Sequence, residues 1–245
     1  MTDGLQIVLP MAGLGQRFRA VGELLPKPLI DVDGQPMFRK ALSSLARAGV
    51  TGEVTAVIRA ELQRDHGLGT ALVEALPGLT VVELPAPTGG AAETVLAAHL
   101  DPERPLLVMD CDIAFESDGY ASAIAHAAAG AADGVLLSFR STDPRYSFAE
   151  TDREGRVVRT AEKVAISENA LMGVYFFSRA GDFVSAAEDV VASAQASETP
   201  ESYLSLVYNR LLERGATIAL ATGTFYCFGT PEELAAYRET HLPVG

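Results

Sequence analysis

A glycine-rich loop near the N-terminus carries the side chains best suited to chemistry in this 245-residue chain. It reads Gly13-Leu14-Gly15-Gln16-Arg17-Phe18 and continues to Pro26-Lys27-Pro28-Leu29. Glycines let backbone N–H groups approach an anion closely, and an arginine beside them can form bidentate bonds to phosphate oxygens. Lys27 adds a second cation on a backbone that its flanking prolines stiffen. The loop therefore favours binding of a triphosphate.

Two other kinds of glycine-rich loop do not fit this segment. A dinucleotide-binding loop needs a third glycine, where Phe18 stands, and a helix that opens at the glycines. Pro26 and Pro28 follow too soon for a long helix, so the segment is predicted to be mostly an extended loop. A Walker loop needs Gly-Lys followed by Ser or Thr, which the segment lacks. An ordinary surface loop with solvated charges is the remaining alternative.

Two aspartates lie at the end of another predicted buried strand, Leu106–Asp110. They belong to the run Asp110-Cys111-Asp112. Alternation along a strand places Asp110 and Asp112 on the same face, and ligands of α/β sheets bind at the carboxyl ends of strands. Mg²⁺ prefers one or two carboxylates together with substrate phosphate oxygens. We therefore predict Asp112 and Asp110 as Mg²⁺ ligands, with a turn or cap role as the alternative for each.

Alternating strands and helices are predicted to position these groups. The predicted strands are Leu5–Pro10, Val54–Arg59, Leu79–Leu84, Leu106–Asp110, Val135–Phe139, Ser147–Thr151, Arg156–Glu162, Leu171–Ser178 and Ile218–Ala221. The predicted helices are Pro36–Ala48, Ala91–Leu100, Tyr120–Ala129, Tyr203–Arg214 and Pro231–Arg238. The pattern favours an α/β fold with a mostly parallel central sheet, helices on both faces and an antiparallel insertion in the second half. The polar stretch with Glu188, Asp189 and Glu198 is interpreted as solvated.

Composition narrows the classes of partner and compartment. The formal net charge of -13 argues against binding to nucleic acid or anionic membranes. No apolar run reaches membrane-spanning length, and the start of the sequence lacks a secretory signal. Two cysteines make no disulfide framework, so a cytoplasmic location is expected. A homo-oligomer is compatible with the sequence, which gives no further indication of assembly.

The motifs together resemble the nucleotidyltransferases that make nucleotide-activated sugars, often called nucleotide-sugar pyrophosphorylases. The similarity covers nearly the whole chain, and the opening and the Tyr203–Arg214 segment are closest to the small members from capsule or metabolite gene clusters. Besides the loop motifs above, it is carried by Asp33-Gly34-Gln35-Pro36-Met37, Gly90-Ala91-Ala92-Glu93-Thr94, Asp110-Cys111-Asp112, Asp143-Pro144-Arg145-Tyr146, Glu162-Lys163 and Gly229-Thr230-Pro231-Glu232-Glu233-Leu234. The resemblance implies one Rossmann-like domain of the GT-A type over residues 1–245, with a nucleotide-binding half (1–140) and an acceptor-binding half (141–245).

The resemblance also implies roles for particular residues. The nucleotide would be bound by Ala12, Gly13, Gly15, Gln16, Arg17 and Gly90, with Glu93 where the family commonly has a glutamine that reads the base. Arg17 would stabilise the departing pyrophosphate, Lys27 the phosphates at the reacting centre, and Asp112 would bind Mg²⁺. Tyr146, Glu162, Lys163 and Gly173 would face the acceptor, with Lys163 near its phosphate.

The implied reaction is transfer of a nucleotide from a nucleoside triphosphate to a phosphorylated small molecule, with a sugar 1-phosphate as the expected acceptor and with release of pyrophosphate (EC 2.7.7). An ionised Glu93 only accepts hydrogen bonds and so favours guanine or cytosine, although thymine and uracil also carry one donor and the base stays open. The sequence departs from the family at Gln16, usually Thr or Ser, and at Cys227, where the family often has a metal-binding Asp. A thiol is a poor ligand for Mg²⁺.

Three alternatives stay open. The acceptor could be a non-sugar phosphate or phosphonate, since some relatives cytidylylate non-sugars. A glycosyltransferase of the GT-A type would use Asp110-Cys111-Asp112 to hold a metal and a nucleotide-sugar, but leaves Arg17 and Lys27 without a role. Cys227 motivates the third alternative, a catalytically weak relative that senses nucleotides.

Overall fold

The structure, a computed structural model, describes residues 4–196 and 201–241. Its strands are β1 (Gln6–Met11), β2 (Asp31–Val32), β3 (Gln35–Pro36), β4 (Glu53–Arg59), β5 (Thr80–Leu84), β6 (Leu106–Met109), β7 (Ile113–Glu116), β8 (Gly134–Arg140), β9 (Ser147–Thr151), β10 (Val157–Glu162), β11 (Asn169–Phe177), β12 (Ile218–Thr222) and β13 (Thr224–Cys227). Its α-helices are α1 (Gln16–Ala20), α2 (Met37–Arg47), α3 (Ala60–His66), α4 (Leu68–Ala75), α5 (Ala91–Leu96), α6 (Tyr120–His126), α7 (Ala180–Gln195), α8 (Leu204–Glu213) and α9 (Pro231–Thr240). None of the helices in these ranges is long and apolar enough to cross a bilayer.

The centre of the main sheet is parallel. Strands β6, β1, β4 and β5 lie side by side in that order, and β1 pairs in parallel with both β6 and β4. Buried positions run continuously along β6, because helices cover both faces of the sheet. The carboxyl ends of these strands therefore meet at one edge, where the loops after β1 and β6 begin.

The second half of the chain extends this sheet with antiparallel pairs. Strand β11 runs antiparallel to β6 on one side and to β8 on the other, and the β9–β10 hairpin joins at its amino end. Strand β12 returns parallel to β8. The predicted α/β fold, with a mostly parallel central sheet and an antiparallel second half, is confirmed.

Two hydrophobic clusters pack on opposite faces of the sheet. Helices α2, α3, α4 and α6 contribute to one cluster, and α5, α7 and α8 contribute to the other. A smaller third cluster includes Phe18 of α1, Phe228 between β13 and α9, and Leu234 of α9. It packs the glycine-rich loop against α9. Helices on both faces of the sheet are thus confirmed.

Several elements differ from the sequence-based prediction. Helices α3 and α4, helix α7 and strands β7 and β13 were not predicted, and α1 makes the start of the glycine-rich loop helical rather than extended. Glu188 and Asp189 lie on α7, whose buried face consists mainly of alanines, together with Phe183 and Val190. Small residues give this helix a weak apolar pattern, which explains the omission. Glu198 lies outside the described residues.

A close backbone contact joins the two halves of the chain. Gly90 precedes α5, and Ser202 precedes α8; the Ser202 N–H donates to the Gly89 carbonyl at 2.9 Å, and the Ala92 N–H donates to the Ser202 carbonyl at 3.0 Å. A Cβ on Gly90 would lie 2.6 Å from the backbone nitrogen and oxygen of Ser202. Only glycine therefore fits at position 90 without moving one half against the other.

We expect Gly90→Ala to lower the free energy of unfolding by about 3 kcal/mol, from overpacking together with an unfavourable positive φ. Urea denaturation followed by circular dichroism measures it. Gly78→Ala is the matched control, because Gly78 also has a positive φ (+92°) but nothing within 4 Å of the added Cβ. Its loss should stay near about 1–2 kcal/mol, the cost of the φ angle alone. Equal losses in the two variants would contradict the close-contact argument.

Candidate active site

Lys27 lies at the centre of the candidate site. It begins a single 3₁₀ turn, Lys27–Leu29, and its ammonium donates to the carboxylate of Asp112 and, at 3.1 Å, to the carbonyl of Gly229. About a fifth of each side chain of the Lys27–Asp112 pair is exposed (21% and 23%). The contacts bring together the loop after β1, the turn after β6 and the segment before α9. These three segments therefore meet at the carboxyl edge of the sheet.

The charge on Lys27 is held by its surroundings. Burial by itself lowers the pKa of the lysine, but the nearby Asp112, with contributions from Cys111 and Asp110, outweighs burial and raises the pKa above its ordinary value. Lys27 is therefore an ammonium group throughout the neutral range. A fixed cation of this kind can neutralise charge on a phosphate at the same place.

The glycine-rich loop encloses a cavity of about 280 Å³ against the ends of β1 and β6. Its lining includes Gly13, Gly15, Lys27, Asp110 and Asp112. Gly15 has a left-handed φ of +61°, and a Cβ there would lie 3.3 Å from Cβ of Lys27. Glycine at this position thus lets the loop turn into α1 while Lys27 stays beneath it. Ala12 packs against the cluster that contains α5.

Gln16 and Arg17 lie on α1, farther from the sheet. Both side chains are exposed, and they line an outer cavity of about 580 Å³ together with Gly13, Gly15 and Gly229. Lys27 lines both this outer cavity and the cavity of about 280 Å³ under the glycine-rich loop. Arg17 is thus on the rim of the site, on the outer side of Lys27.

Glu93 makes a hydrogen bond within its own loop. It lies in the first turn of α5, and its carboxylate accepts a hydrogen bond from the backbone N–H of Gly89. Gly90, between these two residues, holds the loop against Ser202. The contact fixes the direction of the Glu93 side chain, and its predicted role in reading the base stays a prediction.

Asp110 occupies a different environment from Asp112. Its backbone N–H donates to the carbonyl of Gly173 at 2.9 Å, and its carboxylate lies so close to Gly173 that no Cβ would fit there. Burial, together with the charge of Asp112, raises the pKa of Asp110 to about 8 despite the opposing charge of Lys27. Desolvation thus favours the protonated form of Asp110, which makes Asp112 the better ligand for a cation.

A third cavity, of about 250 Å³, adjoins the first through Asp110 and Asp112. Its lining includes the predicted acceptor residues Tyr146, Glu162 and Gly173. The Glu162 carboxylate accepts hydrogen bonds from the hydroxyls of Ser147 and, at 2.8 Å, Ser205. These two donors fix the carboxylate at the cavity wall.

Lys163 faces a neighbouring groove instead. Its ammonium donates to the hydroxyl of Tyr203 at 2.6 Å and lies over the same ring, and it pairs with Glu201 at 3.4 Å. The groove lies between α7 and α8 and also contains Glu162 in its lining. Lys163 and Glu162 therefore share this groove, whereas only Glu162 also lines the third cavity.

Cys227 lies beside the carboxylate of Glu233, to which the sequence assigns no role. Its thiol donates to Oε2 of Glu233 at 3.2 Å, while Oε1 of Glu233 binds Nη1 of Arg145 at 2.6 Å. Burial, with the charges of Asp112 and Glu233, raises the pKa of the Cys227 thiol well above its ordinary value. Glu233 and Arg145 both belong to the sequence motifs quoted above, but their pairing joins residues 88 apart and has no local signal.

The donor set suits Mg²⁺ in part. Within residues 4–196 and 201–241, no group of three or more His, Cys, Asp or Glu side chains is placed to hold a metal ion by itself. Mg²⁺ does not need such a group, because one or two carboxylates, water and substrate phosphates complete its octahedral shell. Asp112 fits this requirement, whereas the protonated thiol of Cys227 does not. Mg²⁺ as cofactor stays a prediction.

Known proteins resemble this chain in sequence. A family model for the MobA-like NTP transferase domain matches residues 7–167. The mannose-1-phosphate guanylyltransferase of Mycobacterium tuberculosis is 30% identical over 183 residues, which covers 73% of this chain and 50% of that protein. The N-acetylmuramate alpha-1-phosphate uridylyltransferase of Neisseria meningitidis serogroup B is 30% identical over 119 residues, covering 46% and 49% respectively. The chain thus spans about half the length of these two relatives.

The fold agrees with these matches. A nucleoside-diphosphate-sugar pyrophosphorylase from Vibrio cholerae RC9 superposes with a TM-score of 0.81 at 25% identity, over 95% of this chain and 99% of that one. The family model covers more than half of the chain and includes the glycine-rich loop, Lys27 and Asp112. The chain therefore belongs to the MobA-like NTP transferase domain family, among the sugar nucleotidyltransferases.

Proposed function

We propose that this protein transfers the nucleotidyl group of a nucleoside triphosphate to a phosphorylated small molecule, with a sugar 1-phosphate as acceptor, and releases pyrophosphate. One observation carries the proposal: the cavity under the glycine-rich loop and the cavity lined by Glu162 meet at Asp110 and Asp112, beside Lys27. Two substrates bound there would have their phosphates adjacent, as group transfer between them requires.

The chemistry needs no protein nucleophile. An oxygen of the acceptor phosphate attacks the α-phosphorus and forms the new P–O bond, while the bond from the α-phosphorus to the bridging oxygen breaks and pyrophosphate leaves with that electron pair. Lys27 neutralises charge at the reacting phosphates, and Arg17 on the rim stabilises the departing pyrophosphate. Asp112 would hold Mg²⁺, which when bound adds positive charge at the phosphate oxygens.

A sugar phosphate fits the acceptor cavity for a chemical reason. Glu162 is fixed by two serine hydroxyls and presents an acceptor for hydroxyl groups, which a sugar has in number. The relatives named for mannose-1-phosphate and N-acetylmuramate alpha-1-phosphate support the same class. A non-sugar phosphate with hydroxyl groups would meet the same requirement. We further propose a cytoplasmic location, since nucleoside triphosphates are available there.

The decisive experiment measures pyrophosphate release with Mg²⁺ for four nucleoside triphosphates, each against a panel of sugar 1-phosphates and non-sugar phosphates and phosphonates. Turnover that depends on both substrates is the expected result. Transfer of sugar from a nucleotide-sugar without pyrophosphate release would establish the glycosyltransferase alternative instead. Tight nucleotide binding with no turnover for any pair would establish the catalytically weak, sensing alternative.

We expect Asp112→Ala and Arg17→Ala each to lower turnover at least tenfold, because each removes a charge that the transition state needs. Steady-state pyrophosphate release measures the effect. Arg19→Ala is the matched control for Arg17, since Arg19 lies on the same short helix and contacts His66 instead. It should keep a rate within about twofold of the unmodified protein. Near-normal rates for both site variants would overturn the assignment.

Glu162→Gln should raise the KM for the acceptor at least fivefold and leave the KM for the triphosphate nearly unchanged. The amide keeps the shape of Glu162 but weakens hydrogen bonds that a carboxylate accepts from hydroxyls. Initial rates with each substrate varied in turn separate the two constants. Glu154→Gln, in the exposed turn between β9 and β10, serves as the control. An equal rise in both constants would place Glu162 outside the acceptor site.

A further inference from the structure

Glu233 supplies a negative charge at the place where Cys227 lacks one. Its side chain is mostly buried, with 17% exposed, and one oxygen, Oε2, accepts the hydrogen bond of the Cys227 thiol. Residue 227 is thus a donor to a carboxylate rather than a carboxylate itself. The negative charge is therefore carried by Glu233 in the first turn of α9 and not by residue 227 at the end of β13.

The direction of the Glu233 carboxylate is set by two contacts. The guanidinium of Arg145 binds Oε1 at 2.6 Å, which leaves Oε2 on the side of Cys227. Thr230 accepts a hydrogen bond from the Glu233 backbone N–H at 3.2 Å and so fixes the start of α9. The carboxylate is therefore held in place before any ligand binds.

Gly229 shows how near this carboxylate is to Asp112. The position that a Cβ of Gly229 would occupy lies 3.1 Å from Oε2 of Glu233 and 3.3 Å from Oδ2 of Asp112. The two carboxylate oxygens thus border the same small space. Two Mg²⁺–oxygen distances of about 2 Å each, one to Asp112 and one to a water, and a hydrogen bond of about 2.8 Å from that water are enough to connect them.

We propose that Glu233 is the second carboxylate of the cation site, and that it accepts a hydrogen bond from a water bound to a divalent cation held by Asp112. The inference rests on the proposed function, because the cation serves the nucleotidyl transfer. Arg145 orients Glu233, and Cys227 donates to it. Mg²⁺ keeps several of its waters in protein sites, so contact through water is an ordinary mode of binding.

The test measures Mn²⁺ binding to the 245-residue chain by electron paramagnetic resonance. Inorganic pyrophosphate is present, because it is the product that every nucleoside triphosphate would release. We expect Glu233→Gln to raise the Mn²⁺ dissociation constant at least tenfold. Glu239→Gln, an exposed carboxylate near the other end of α9, should change it less than twofold. A dissociation constant for Glu233→Gln equal to that of the unmodified protein would overturn the proposal.

Two more variants give independent readings. Cys227→Asp combined with Glu233→Gln should restore Mn²⁺ binding to within about threefold, because it returns the charge to position 227. Gly229→Ala should weaken binding at least tenfold while it keeps both carboxylates, because its methyl fills the space for the bridging water. Circular dichroism melting checks that each variant is folded, and Gly229→Ala decides the question if Glu233→Gln does not fold.

The transfer assay, run in parallel, separates this inference from the proposed function. Mn²⁺ binding and turnover that both survive Glu233→Gln would remove Glu233 from the site and leave the nucleotidyltransferase assignment intact. An unmodified protein that neither binds Mn²⁺ nor turns over with any substrate pair would overturn both. Weaker binding in Cys227→Ser than in Glu233→Gln would identify the sulfur as the ligand and overturn the assignment to Glu233.

Discussion

The ammonium of Lys27, held between the Asp112 carboxylate and the Gly229 carbonyl, is the interaction on which the site depends. It fixes the relative positions of the loop after β1, the turn after β6 and the entry to α9. Removing one member of such a partly buried pair leaves the other charge without a partner, which is more costly than losing an exposed salt bridge. The apolar cluster that contains Phe18, Phe228 and Leu234 packs the loop after β1 against the entry to α9 and so stabilises the same arrangement.

Placing this cation among carboxylates resolves a difficulty for a protein of net charge -13. An acidic protein repels phosphates at long range, so attraction has to be local. Lys27 is surrounded by groups that keep it charged, and desolvation of the half-buried Asp110 raises its pKa, which reduces its repulsion of phosphates. Arg17 then provides a second positive charge at the rim, where solvent screens it more strongly. The cavities at the sheet edge are thus less repulsive to phosphates than the overall charge suggests.

Sequence alone predicted much of the fold because the signals were strong and local. Alternation and turn residues located the β9–β10 hairpin and the parallel strands, and the glycine spacing located the loop that covers Lys27. Helix α7 was missed because its buried face is mostly alanine, which contrasts weakly with its polar face. Strands β7 and β13 were missed because they are short and pair mainly with each other, far along the chain.

The same limit applies to the site. The types of residue at Lys27 and Asp112 indicated their chemistry, but their contact joins residues 85 apart and could come only from the tertiary structure. Glu233 was visible in a motif and had no assigned role, because its importance depends on Cys227 and Arg145 lying beside it. Lys163 has a left-handed backbone (φ 57°) and donates to Tyr203, a contact 40 residues away that the sequence does not indicate, and its role near the acceptor phosphate stays a prediction.

The contact between Gly90 and Ser202 has a consequence for synthesis on the ribosome. The backbone N–H of Glu93 donates to the hydroxyl of Ser202, which is synthesised 109 residues later. At a translation rate of roughly 5–20 residues per second, that delay is on the order of 5–20 s. Within this interval, between completion of β6 at Met109 and synthesis of β11 from Asn169 onwards, the nascent N-terminal half has the β1, β4, β5 and β6 strands but not β11, which covers the free edge of β6. An uncovered strand edge is a template for pairing with another chain, so the nascent half is the stage most exposed to aggregation.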